Sequence, residues 1–234
     1  MTTTTHTATD AAHRIAHADD RAARTLVTGG AIAGPVFVLT AGVQSVSRDG
    51  FDLTRQPISL LTLGDAGWVQ ITNFILAGVL MLGFAVGAAR ALRGGPSRRW
   101  APWLFGVFGT GLVIGGAFTA DPALGFPVGA PEGIPETMSF HALVHAVAPP
   151  LAFTSLVIGM FVVAHRLAWE GRRRAAVWTR VAAVVCFALS VPVGPGFSVR
   201  LFLAVALGFA WITAYAVSLL RRPSIAEPGR GLRQ

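Results

Sequence analysis

The amino-acid sequence predicts an all-α fold, a polytopic integral membrane bundle of six transmembrane helices with both termini cytoplasmic. Three observations carry this expectation. Of 234 residues, 53% are hydrophobic and 13% charged, about half of the ~25% charged share of a soluble domain. The charges gather in short clusters and leave uncharged runs of 23, 24, 21, 29, 19 and 20 residues, each about the length a helix needs to cross a ~30 Å hydrocarbon layer. All 19 basic residues are arginine, and 16 of them fall in alternate connections, the pattern left when cytoplasmic loops retain basic residues.

Taken in order, residues 1–24 are rich in Thr, Ala and His and lack the apolar core of a signal peptide, so they read as a largely disordered cytoplasmic arm, with an interfacial helix from Ala11 onward as the alternative. Residues 25–221 form the expected membrane domain, with spans at about 26–44, 67–90, 100–120, 138–166, 176–194 and 200–220, and 222–234 form a cytoplasmic tail. Glycine is abundant, and pairs such as Gly83/Gly87 and Gly111/Gly115 suit close helix approach in lipid. Pro35, Pro149–Pro150 and Pro192 interrupt spans; the favoured expectation at the Pro149–Pro150 pair is a static bend with no cavity, the alternative a kink that opens space toward the outer side. Two outer segments stand apart: residues 45–65, where a short interfacial helix is expected from Pro57, and the Pro/Gly-rich stretch 121–137.

The net charge of +8 first suggests nucleic acid as a partner. Its distribution excludes that reading: the clusters mark orientation and contact anionic lipid. Orientation then makes the outer side the one carrying Arg48, Arg55 and Arg200 together with Asp121, Glu132 and Glu136. The single cysteine, Cys186, forms no internal disulfide, and nothing in the sequence supports nucleotide binding or thiol redox chemistry.

Chemistry-bearing side chains concentrate on the outer side. His141 and His145 are four apart and share a helical face that continues through Ala148, Ala152 and Ser155. With Asp121 they could hold a metal ion, zinc or iron, as two histidines and a carboxylate with open positions. The simpler expectation is that Asp121 ties two helix ends together. Gln70 and Asn73 form a second polar group near the outer end of the second span, Asn73 needing a partner across a helix interface, while Trp68 and Trp100 are placed to anchor at the membrane interface.

The run from Gln56 through Phe74, QPISLLTLGDAGWVQITNF, followed by Gly78, resembles the hallmark of a bacterial family of six-span membrane proteins catalogued as domain of unknown function 998. Asp121–Pro122 and the His141/His145 pair also fall where that family shows polar residues. The resemblance implies a bacterial membrane bundle and no particular activity. A looser similarity is to membrane hydrolases of the alkaline ceramidase and adiponectin-receptor type, which hold zinc with Asp and His ligands. This chain departs from them in its six spans and in lacking a third outer histidine, His165 falling at the opposite face.

The expected protein is therefore a non-enzymatic protein of the bacterial inner membrane, with no cofactor. Its expected partners are membrane lipids and a small ligand, lipid or proton in an outer pocket bounded by Gln70, Asn73, Asp121, His141 and His145. The alternative is a metal-dependent lipid hydrolase using Asp121, His141 and His145.

Overall fold

The computed structural model describes residues 3–92 and 94–222, with the backbone course alone over 3–16. Among these residues the fold is all-helical: α1 (Thr3–Ser47), α2 (Gly67–Ala91), α3 (Trp100–Ala117), α4 (Phe140–Trp169), α5 (Arg173–Ser190) and α6 (Phe197–Leu220), with a short 3-10 helix over Ile58–Thr62. Successive helices pack against one another and α6 returns to α1, so the six form a closed up-and-down ring. One end carries residues 48–66, 118–139 and 191–196; we call it the loop end. The other carries the tight turns 92–99 and 170–172, and we call it the arginine end.

Five helices are long and apolar enough to cross a membrane: α1 over His17–Ser47, then α2, α3, α4 and α6. The expected sixth, α5, differs for a physical reason. The uncharged run 181–199 was counted as a span at 176–194, yet Val191–Gly196 is irregular, with Gly194 and Gly196 at positive φ. The helix instead starts at Arg173, which adds Arg173 and Arg174 to the Arg180 the expected span already held, and it ends at Ser190. A second difference lies at the amino end. Helix α1 starts at Thr3, inside the stretch expected to be a disordered arm, because recurrent alanine favours helix and the adjoining span supplies a nucleus to extend. The expected tail lies outside the described residues from position 223 onward.

Large apolar side chains cover the outward faces; Leu39, Trp103 and Phe140 are each about 70% exposed (67%, 72% and 70%). Such a surface requires an apolar solvent. Inside the ring, two aromatic groups fill the core. Phe37 packs on Phe74 and Phe209, each at 5.1 Å between centroids, toward the loop end. Phe84 and Phe105, also 5.1 Å apart, lie toward the arginine end beside the Trp211–Tyr215 stack.

Glycine sets the helix spacing. A Cβ on Gly78 of α2 would stand 2.7 Å from the Gly109 carbonyl oxygen and 2.8 Å from the Val113 nitrogen of α3. Gly109 faces the Gly78 carbonyl oxygen in return, at 2.9 Å from its own hypothetical Cβ. Two backbones in mutual contact gain dispersion energy that bulkier residues would forfeit. At the arginine end the buried Arg166 donates to the carbonyls of Gly94 and Pro96 and pairs with Glu170 at 2.7 Å, while Arg222 reaches the same carboxylate at 2.8 Å.

Candidate functional site

The loop end is covered by a built cap. Gln56, 2% exposed, accepts from the Asp52 backbone N–H at 2.8 Å and donates to the Leu124 carbonyl at 2.8 Å, joining the two long loops. Arg48 donates to the Leu63 carbonyl at 2.6 Å and lies over the Phe126 ring. Arg55 pairs with Glu132 at 2.8 Å, and Ser198 of α6 donates to the Arg55 carbonyl at 3.0 Å. The segment after Pro57 forms a short helix, as expected, but packs it into the bundle. It is a 3-10 helix with Ile58, Leu60, Leu61 and Thr62 buried, because its apolar side chains fit the mouth of the ring between α1 and α2.

Beneath this cap the five candidate residues separate into two groups. Asp121 follows the end of α3, and both its oxygens are engaged by Ser139, the residue that caps α4: the backbone N–H donates at 2.8 Å and the hydroxyl at 2.7 Å. Ser139 Oγ in turn accepts from the Ala142 N–H at 3.1 Å, satisfying a free helix-terminal donor. The Ser139 hydroxyl, then its backbone N–H, hold the Asp121 carboxyl below the usual carboxylate range, with His141 adding a smaller Coulombic pull.

His145 is 6% exposed, and its Nδ1–H donates to the Phe118 carbonyl at 2.7 Å. A carbonyl only accepts, so Nδ1 carries a proton and Nε2 is the ring nitrogen left for another partner. His141, one turn earlier and exposed, sets its ring 5.1 Å from that of Phe118. Asp121 and His145 share a small recess of about 160 Å³ together with Pro57, Ser59, Met138 and Ala146. The three residues expected as metal ligands are not arranged as one ligand set: no group of three or more His, Cys, Asp or Glu side chains suited to a metal ion occurs among the described residues.

Gln70 and Asn73 belong to a different cluster. Both are buried on α2, and Gln44 of α1, unforeseen in the sequence, completes it. Gln44 Nε2 and Asn73 Nδ2 both donate to Gln70 Oε1, at 2.7 and 3.2 Å, and Asn73 also donates to the Phe37 carbonyl at 3.0 Å. The arrangement links α1 to α2. Gln44 could have been found only by noticing a carboxamide seven residues beyond Phe37 in an otherwise apolar run.

A larger chamber of about 530 Å³ adjoins the recess, sharing Pro57 and Ser59 with it. Its walls come from the aromatic group near the loop end and from Pro149–Pro150 of α4, so space opens at that proline pair, where a static bend with no cavity is the favoured expectation from sequence. None of the five candidate residues lines this chamber.

Residues 31–218 match the family described as "Protein of unknown function (DUF998)". No curated protein and no solved structure matches the chain. The matched range takes in α1 from Ala31 onward, helices α2 to α5, α6 as far as Ser218 and both loops of the cap, and the chain belongs to the DUF998 family.

Proposed function

We propose that this protein is a six-span, non-enzymatic protein of the bacterial inner membrane that binds a small lipid-type ligand in its outer half. Both termini face the cytoplasm in this reading, because the arginine end collects basic residues, and α5 serves as the sixth span with Arg180 reaching back toward that end. The ligand's polar end sits in the recess beside His145 Nε2 and Asp121, with His141 at its outer edge. Gln70 and Asn73 act at one remove, holding the α1–α2 wall.

The single observation that carries the reading is the shared wall: Pro57 and Ser59 border both the small recess with Asp121 and His145 and the larger apolar chamber. A site with one polar and one apolar compartment suits an amphipathic molecule. Native mass spectrometry of the gently extracted protein should find a small lipid-type molecule that His145→Ala loses. Stoichiometric zinc or iron, removed by the His141→Ala/His145→Ala pair, would overturn this reading in favour of metal-dependent lipid hydrolysis. Orientation is tested by an export-dependent reporter, expected to be active when fused at Gly129 and inactive at Gly95.

A further inference from the structure

We propose that the large chamber is a lateral binding site for one alkyl chain of a membrane lipid, which enters from the bilayer through the seam between α4 and α5. The inference rests on the preceding reading for the polar end of the same ligand, and adds the chemical class of the other end and the route.

The route follows from where the chamber is exposed. Most of its wall is buried or half-buried, but Pro150, Thr154, Phe187 and Pro192 line it and are also exposed. All four lie on α4, on α5 or just past the end of α5, so the opening faces sideways on one flank of the ring. Two features make the gap. Helix α5 stops at Ser190, and its place is taken by the irregular Val191–Gly196 stretch. Across from it, α4 carries Pro149–Pro150, which costs intrahelical hydrogen bonds and disturbs packing at that level. The aqueous approach is closed by comparison. The buried 3-10 helix forms the roof, and Gln56 and Arg48 bond the cap loops above it.

The chemistry of the walls selects the guest. No charged side chain lines the chamber; Ser59, Thr154 and Ser190 are its polar members among many aromatic and aliphatic ones. A chamber this apolar holds water poorly and takes apolar guests, and about 530 Å³ lies within the range of small-molecule sites, roughly 300–1,000 Å³. The medium at the seam is acyl chain. A chain threading past Phe187 into the Phe37–Phe209 region would leave its head beside Pro57 and Ser59, where the recess of Asp121 and His145 begins.

The test uses the full chain in lipid nanodiscs with palmitic acid carrying a mid-chain diazirine, followed by photolysis and peptide mapping. In the wild-type protein, label is expected on chamber residues such as Phe153, Phe187 and Phe209. Thr154→Trp, at the exposed rim, should abolish that label. Val147→Trp, on the open groove at the opposite flank of α4, should leave it intact. Label confined to outward faces of the wild type overturns the inference without reference to any variant, and so does chamber labelling that persists in Thr154→Trp. The two readings fail separately. Loss of a co-purified ligand in His145→Ala with labelling insensitive to Thr154→Trp removes the chain site and keeps the polar site. The converse pattern removes the polar site and keeps the chain site.

Discussion

Replacing Gly78 by alanine tests whether the α2–α3 contact is as close as described. The added methyl carbon would meet the Gly109 carbonyl oxygen at 2.7 Å, the Val113 nitrogen at 2.8 Å and the Val113 Cγ2 at 2.6 Å. Two of these atoms are backbone and cannot rotate away, so the helices must separate. Overpacking costs about 1–3 kcal/mol, and a backbone clash belongs at the upper end. Against this, alanine gains about 1 kcal/mol over glycine in helix propensity. The expected net loss is about 1–2 kcal/mol. Gly83→Ala on the same helix is the control, because its methyl carbon meets only Leu26 Cδ2, at an ordinary 3.4 Å. It keeps the propensity gain and should be neutral or stabilised by up to about 1 kcal/mol. Thermal unfolding in a mild detergent, followed by circular dichroism, reads both. A Gly78→Ala protein as stable as Gly83→Ala would refute the argument that glycine sets this spacing.

Three further outcomes follow from the ties at the two ends of the bundle. Asp121 is held below its ordinary range by Ser139, so its folded pKa is depressed and it stabilises the fold at all pH values above the unfolded carboxylate value of about 3.9. That contribution should fade as pH falls below that value through the folded pKa, and acid unfolding of Ser139→Ala should show a smaller loss over the same window. Glu170→Ala strips Arg166, whose side chain is 4% exposed, of its carboxylate partner; the expected cost is about 3 kcal/mol, with Glu170→Gln milder because it can still accept a hydrogen bond. Gln56→Ala removes the bond to Leu124 that joins the cap loops, so limited proteolysis at the loop end should accelerate while secondary structure by circular dichroism stays unchanged.

The sequence revealed the helices more readily than their ends. Uncharged runs located α1, α2, α3, α4 and α6 because an apolar helix in lipid has little other way to satisfy its backbone. The same criterion set the end of α5 four residues too late, since freedom from charge does not distinguish the helix ending at Ser190 from the Val191–Gly196 turn. Asp121 was readable as a tie between helix ends, by capping or by pairing with a histidine, and the residue it engages is Ser139, through backbone N–H and hydroxyl. A hydroxyl one residue before a helix is a capping signal, and that local rule would have found it. Gln70 and Asn73 were readable as a second polar group, with Asn73 bonded across a helix interface; that they border no common pocket with Asp121 and His145 was not, because it depends on which flank of the ring each helix presents, a tertiary fact.

Helix α5 has a consequence for the surrounding bilayer. Its 18 residues extend about 27 Å, as do the 18 of α3, whereas the 30 residues of its neighbour α4 extend about 45 Å. Arg180 is exposed and lies seven residues into α5, so the apolar part of this flank is shorter still. A hydrophobic stretch below the local thickness thins the membrane around it or draws its flanking charges toward the headgroups. In the six-span reading proposed above, the bundle meets a bilayer of unequal depth around its circumference, shallowest beside α5, and a change in lipid chain length would act first along that flank.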